Sequence, residues 1–305
     1  MSNKVSEKFQ SSHFEHLFTI EGHASAVYSL TSCENFIYSA SGDRFVTRWD
    51  KSYGKQDKFA IKLDSVPYVI RYLSEQSCLI IGLSDGKVHV IDIEKREEIK
   101  CFTQHRHAIF SIEDNMDRNH VYIGDMEGYL SIWNSNSWEL EMIIPLNGGK
   151  IRSMLYSSDK KTLFVGKQNG EISLFETGYY NETRTFHAHA GGVSSLLYCE
   201  KENVLISGGN DGHIRIWSFQ GEPIKSIPAH YYTVYSIILF ADDIYASSSK
   251  DGSIKIWSGL FDKVIQKIDK QNEGHRHSVN ALLKLDENCI ISCSDDSKIK
   301  CFQKS

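Results

Sequence analysis

At 305 residues, with 41% apolar side chains and a net charge of −5, the chain can build a substantial core. It is too acidic for a general affinity for nucleic acid, which needs positive charge to displace counterions. No run approaches the roughly 20 apolar residues of a membrane helix, and Met1 to Ser12 lack the apolar centre of a signal peptide. These features predict a cytoplasmic protein with no membrane insertion. The cysteines (Cys33, Cys78, Cys101, Cys199, Cys289, Cys293 and Cys301) are odd in number and form no Cys-x-x-Cys pair. They read as free thiols in a reducing compartment.

In chain order, residues 1–13 form a short polar tail, and 14–305 read as one domain. The segment His13 to Ile20 is strand-like. A turn acid or amide then recurs at Asp43, Asp85, Glu127, Asn169, Asp211, Asp251 and Asp296, at spacings of 42, 42, 42, 42, 40 and 45 residues. Six residues after each stands a large apolar residue: Trp49, Ile91, Trp133, Phe175, Trp217, Trp257 and Phe302. A period of about 40–45 residues is that of one four-stranded propeller blade. Asp85-Gly86, Asn169-Gly170, Asp211-Gly212 and Asp251-Gly252 supply the positive φ of tight hairpins. Flanking runs such as Val204 to Ser207 and Ile214 to Trp217 are β-formers. The seventh repeat ends after its third strand, Lys298 to Phe302, so the N-terminal strand is expected to complete blade 7 and close the ring. The predicted fold is all-β: a seven-bladed β-propeller of four-stranded antiparallel blades.

The marks Glu21-Gly22-His23, Ala229-His230 and Glu273-Gly274-His275 at repeat starts, with Trp49-Asp50, Ile216-Trp217-Ser218 and Ile256-Trp257-Ser258 at their ends, resemble the WD-repeat propeller family. The resemblance covers about residues 14–302. Only Trp49-Asp50 is a literal Trp-Asp pair. The family's structural tetrad of His, Ser/Thr, Asp and Trp maps onto His23, Ser39, Asp43 and Trp49. It maps again onto His189, Ser207, Asp211 and Trp217, and onto His230, Ser247, Asp251 and Trp257. A fourth copy has His275, Ser292 and Asp296, with Phe302 in place of Trp. Blades 2, 3 and 4 look degenerate. Ser65 and Asn147 replace His; Ile81, Ile123 and Val165 replace Ser; Ile91 and Phe175 replace Trp. An apolar solution is expected there.

No enzymatic activity is expected. A Ser-His-Asp trio that occurs four times at one place in the repeat is structural, since a hydrolase triad would be unique. No Gly-x-Ser-x-Gly elbow or phosphate-binding glycine loop is present. His105-Arg106-His107, His187-Ala188-His189 and His275-Arg276-His277 have no Cys or carboxylate at metal-ligand spacing, so no catalytic, metal or cofactor site is assigned.

Function must then come from a binding surface. The resemblance implies a face that collects the blade-start loops and the turns before each acid. Three or five residues after the repeat-start position stand Tyr28, Tyr68, Ile70, Phe110, Lys150, Arg152, Tyr235 and Asn280. One residue after it stand Arg106, Tyr231 and Arg276. Just before the turn position stand Met126, Gln168, Asn210, Lys250 and Asp295. Aromatic and Arg side chains are enriched at interface centres, and the cations favour acidic or phosphorylated segments. The expected function is a monomeric scaffold or adaptor for other proteins or peptides. The alternative is a small-molecule-binding or enzymatic propeller that uses its central channel.

Overall fold

A computed structural model describes residues 13–305; the expected polar tail, apart from His13, lies outside the described residues. Among the described residues, twenty-eight strands form seven four-stranded antiparallel sheets. In blade 1 the strands run Val27–Ser32, Phe36–Ser41, Phe45–Asp50 and Gln56–Lys62, from the axis outward. Blades 2 to 6 repeat this order. Inner strands of adjacent blades touch around the whole ring, including Val279–Lys284 of blade 7 against Val27–Ser32 of blade 1. Blade 7 is closed by the strand Phe14–Ile20, which pairs antiparallel with Ile299–Lys304 and so supplies the outer strand from the start of the chain.

The repeat dictates this geometry locally. Gly86 sits at φ +90° in the hairpin after Asp85, a conformation that suits glycine. The side chain of Asp85 accepts the Lys87 N–H at 3.1 Å, which fixes the same turn. The strand before it, Cys78–Leu83, is apolar and buried on both faces, because each blade is covered by a neighbour on each side.

The core therefore lies between blades. Ile20, Val27, Ile37 and Trp49 pack with Ile291 and Ile299 across the blade 7–blade 1 seam. Phe14 and Phe302 pack with Phe240, Ala246 and Ile254 across the blade 6–blade 7 seam. All seven cysteines are free, and only Cys33 and Cys101 are less than fully buried. Among the described residues, no helix is long and apolar enough to cross a membrane.

Candidate functional site

The tetrads hold the loop face in place. In blade 1, Trp49 Nε1 donates to Ser39 Oγ at 2.7 Å, the Ser39 hydroxyl meets His23 Nε2 at 2.7 Å, and His23 Nδ1 meets Asp43 at 2.8 Å. Blade 5 repeats the chain through Trp217, Ser207, His189 and Asp211. Blade 6 uses Trp257, Ser247, His230 and Asp251. In blade 7, His275 joins Ser292 at 2.9 Å and Asp296 at 3.0 Å, and Phe302 offers no donor. Burial opposes ionisation of Asp211, Asp251 and Asp296. The imidazole partners and local N–H donors outweigh it and hold these carboxyls well below the ordinary range. The four serines are fully buried, so no substrate reaches their hydroxyls.

Blade 3 corrects the expectation of an apolar solution. His105 Nδ1 lies 2.8 Å from Asp125 and Nε2 lies 2.7 Å from Ser131, which accepts the Trp133 indole N–H at 2.7 Å. The chain is complete but rewired. Its serine comes from the third strand, directly opposite Ile123, and its acid stands two residues before Glu127. Neighbouring strands place the two serine positions within reach of the same imidazole. Blades 2 and 4 do lack the chain; in blade 2, Ser65 donates directly to Asp85 at 2.8 Å.

The second residue of every inner strand falls at a β-bulge. These seven residues are Tyr28, Tyr68, Phe110, Arg152, Ser194, Tyr235 and Asn280, and all line one cavity of about 440 Å³ where the inner strands begin. A bulge re-aims a side chain out of the regular ladder, and seven copies converge on the channel mouth. Ser29, Val69 and Asp295 complete the lining. Six of the seven were identifiable by register, and Ser194 follows His189 by the same five residues. Ile70 does not belong: it is buried in the core, because the blade 2 connection after Ser65 is two residues shorter and the bulged position falls on Tyr68.

The mouth is chemically lopsided. Tyr28 meets Tyr68 edge-on at 5.4 Å, and Tyr68 stacks on Phe110 at 5.1 Å. Lys150 Nζ lies 4.1 Å from the Phe110 ring centre, and the Arg152 guanidinium lies 5.7 Å from the rings of both Phe110 and Tyr235. Among the described residues, no carboxylate pairs with Arg152. Burial pushes its guanidinium below the ordinary value, and burial with the like charge of Arg152 does the same to Lys150. Across the mouth, Asn280 donates to Asp295 at 2.8 Å and to the Val27 carbonyl at 2.9 Å.

The other candidates are spread around the rim. The backbone N–H groups of Tyr231 and Arg276 clamp Asp251 and Asp296, which turns both side chains outward; Tyr231 is 89% exposed. Arg106 lines a separate cavity of about 580 Å³ with Tyr129 and Ile143. Met126, Gln168 and Lys250 are exposed, and half-buried Asn210 donates to the Gly191 carbonyl.

Deeper on the inner strands, Arg71 donates to Asp114 at 2.6 Å and to Glu113 at 3.1 Å. Burial pushes the Glu113 carboxyl up to about 7, against the pull of Arg71. A carboxyl raised on folding lowers stability as pH climbs from its unfolded value, about 4.3, through 7. Glu113→Gln should remove that loss, so the variant gains on wild type by roughly 1–3 kcal/mol between pH 5 and 7.5 in urea melts. Burial lowers His189 and His230, which act in the opposite direction in this range, and the comparison cancels them.

A closed ring of seven blades, held by repeated His–Asp–Ser chains beneath an open loop face, defines a propeller of the protein-binding class. The family described as "WD domain, G-beta repeat" matches residues 14–50, 180–218, 221–258 and 266–303, and the chain belongs to this WD-repeat family. Its propellers are typically non-catalytic and generally bind other proteins. The chain is also similar to a U3 snoRNP-associated protein-like protein of Arabidopsis thaliana, 29% identical over 118 residues. That alignment covers 32% of this chain and 24% of the relative, so the chain spans about a quarter of the relative's length.

Proposed function

We propose that this protein is a monomeric cytoplasmic adaptor that holds an acidic or phosphorylated segment of a partner protein on its loop face, with the channel mouth as anchor. The observation that carries this reading is Arg152, a half-buried guanidinium with no carboxylate partner among the described residues, set between Phe110 and Tyr235 and beside Lys150. An incoming carboxylate or phosphate gains charge-assisted, bidentate hydrogen bonds there, and the aromatic wall supplies contact area at low entropic cost. The name of the Arabidopsis relative associates it with a ribonucleoprotein particle. For this chain, a protein contact in such an assembly suits the net charge of −5 better than direct RNA contact. The cavity of about 440 Å³ also falls in the size range of small-molecule sites, which supports the channel-ligand reading as the alternative.

The test compares wild type with Arg152→Glu plus Tyr235→Ala in affinity purification from the native cell, read by mass spectrometry. A partner that uses the mouth should be depleted roughly 30-fold or more. Equal recovery by both proteins removes the proposal, and enrichment of a metabolite without any partner favours the alternative.

A further inference from the structure

Blade 2 has a second group of reactive side chains, unconnected with the channel. His89 on the third strand and Cys101 on the outer strand are direct cross-strand partners. The outer strand then slips register between the partners of Val90 and Ile91. The extra residue, Ile99, brings Glu98 to the same face as Cys101, three positions away, where strict alternation would have opposed them. His89 Nδ1 lies 2.8 Å from Glu98, and one donor atom from each of His89, Glu98 and Cys101 lies within 4.8 Å of the others. Lys87, two residues before His89, is held by Asp85 at 3.4 Å.

The fold brings these three positions together by design of the blade. In blade 4 they are Ser173, Thr185 and Glu182, and Thr185 hydrogen-bonds both of the others. Only blade 2 fills all three with metal-ligating groups: blade 1 has Thr47, Ala60 and Gln56, and blade 5 has Arg215, Ser226 and Pro223. Blade 2, like blade 4, lacks the His–Asp–Ser chain that staples the other five blades.

We propose that His89, Glu98 and Cys101 form a zinc-type divalent metal site that staples the outer two strands of blade 2. One imidazole nitrogen, one carboxylate oxygen and one thiolate are a borderline-soft set suited to tetrahedral Zn²⁺, with water in the fourth position. On binding, the Cys101 S–H bond breaks, a sulfur–metal bond forms and the proton passes to solvent, so affinity rises with pH. Tetrahedral bonds of about 2.0–2.3 Å set the donors roughly 3.3–3.7 Å apart, so the 2.8 Å hydrogen bond between His89 and Glu98 gives way to the metal, a movement open to Glu98, which is 46% exposed. This departs from the expectation of no metal site, which weighed only the His-x-His units.

The purified full-length chain is titrated with Co²⁺, followed by Zn²⁺ competition. The expected result is one bound Co²⁺ with a thiolate-to-metal charge-transfer band and tetrahedral ligand-field bands, displaced by one equivalent of Zn²⁺. Cys101→Ser should abolish the charge-transfer band, His89→Ala should weaken binding roughly tenfold or more, and Cys33→Ser should leave both unchanged. A wild-type titration without a thiolate band, or a band that survives Cys101→Ser in a variant melting like wild type, overturns the proposal.

Discussion

Deletion of residues 1–20 should leave the protein unable to hold its ring. The strand Phe14–Ile20 is the outer quarter of blade 7, and both its ends are anchored. Phe14 is 2% exposed, its ring meets Phe240 edge-on at 4.9 Å, and its backbone exchanges hydrogen bonds with the Gln266 amide at 2.7 and 2.8 Å. Ile20 is equally buried, in the seam with blade 1. Full burial of two such side chains stabilises by about 3–6 kcal/mol, against a typical total of about 5–15 kcal/mol. Loss of the strand also exposes the edge of Ile299–Lys304, a template for aggregation. The deleted protein should therefore be recovered aggregated, without a cooperative thermal transition. Phe14→Ala alone should cost about 3–5 kcal/mol in a urea melt. A deletion variant with the wild-type melting temperature contradicts closure by this strand.

Replacement of His105 by alanine should be the most damaging single change in blade 3, although that blade looks degenerate in sequence. Asp125 is 1% exposed. Burial works against its charge, and the His105 hydrogen bond with the Tyr129 and Glu127 N–H groups holds its carboxyl below the ordinary range. Removing the imidazole leaves a buried charge short of its main partner, at a cost of about 3–5 kcal/mol. Ser131→Ala orphans the Trp133 indole N–H and should cost about 1–3 kcal/mol. The two changes should couple strongly in a double-mutant cycle, because they break one chain. Asn147→Ala, the exposed blade 4 counterpart, should change stability by less than about 0.5 kcal/mol. If His105→Ala and Asn147→Ala prove equally mild, the rewired chain is not holding blade 3.

The blade count, the strand order and the closing strand were legible before any coordinates. Period and turn chemistry are local: an Asp-Gly turn and two β-forming runs specify a hairpin wherever they stand, and seven at one spacing specify a ring. The three complete tetrads were legible for the same reason, since Ser and Trp stand 10 residues apart in each and the His precedes the Asp by 20, 22 or 21 residues. Six of the seven channel-mouth residues could be chosen by counting from the repeat start. Counting misled at Ile70, because a loop shorter by two residues shifts the register without altering the fold.

What counting could not reach depends on which side chains face each other across strands. Ser131 replaces a serine of the adjacent strand because Ile123 and Ser131 are cross-strand partners, eight residues apart in sequence but side by side in space. Glu98 joins His89 and Cys101 because one bulge reverses the face of an outer strand. Convergence of seven bulged residues on one opening likewise follows from their position around an axis that no single repeat encodes. The sequence by itself determined the repeating unit and its number, because hairpin formation is settled within about forty residues. The tertiary structure alone decided which polar groups meet, because hydrogen bonding and ligation act over about 3 Å between strands that the chain brings together only when the ring is closed.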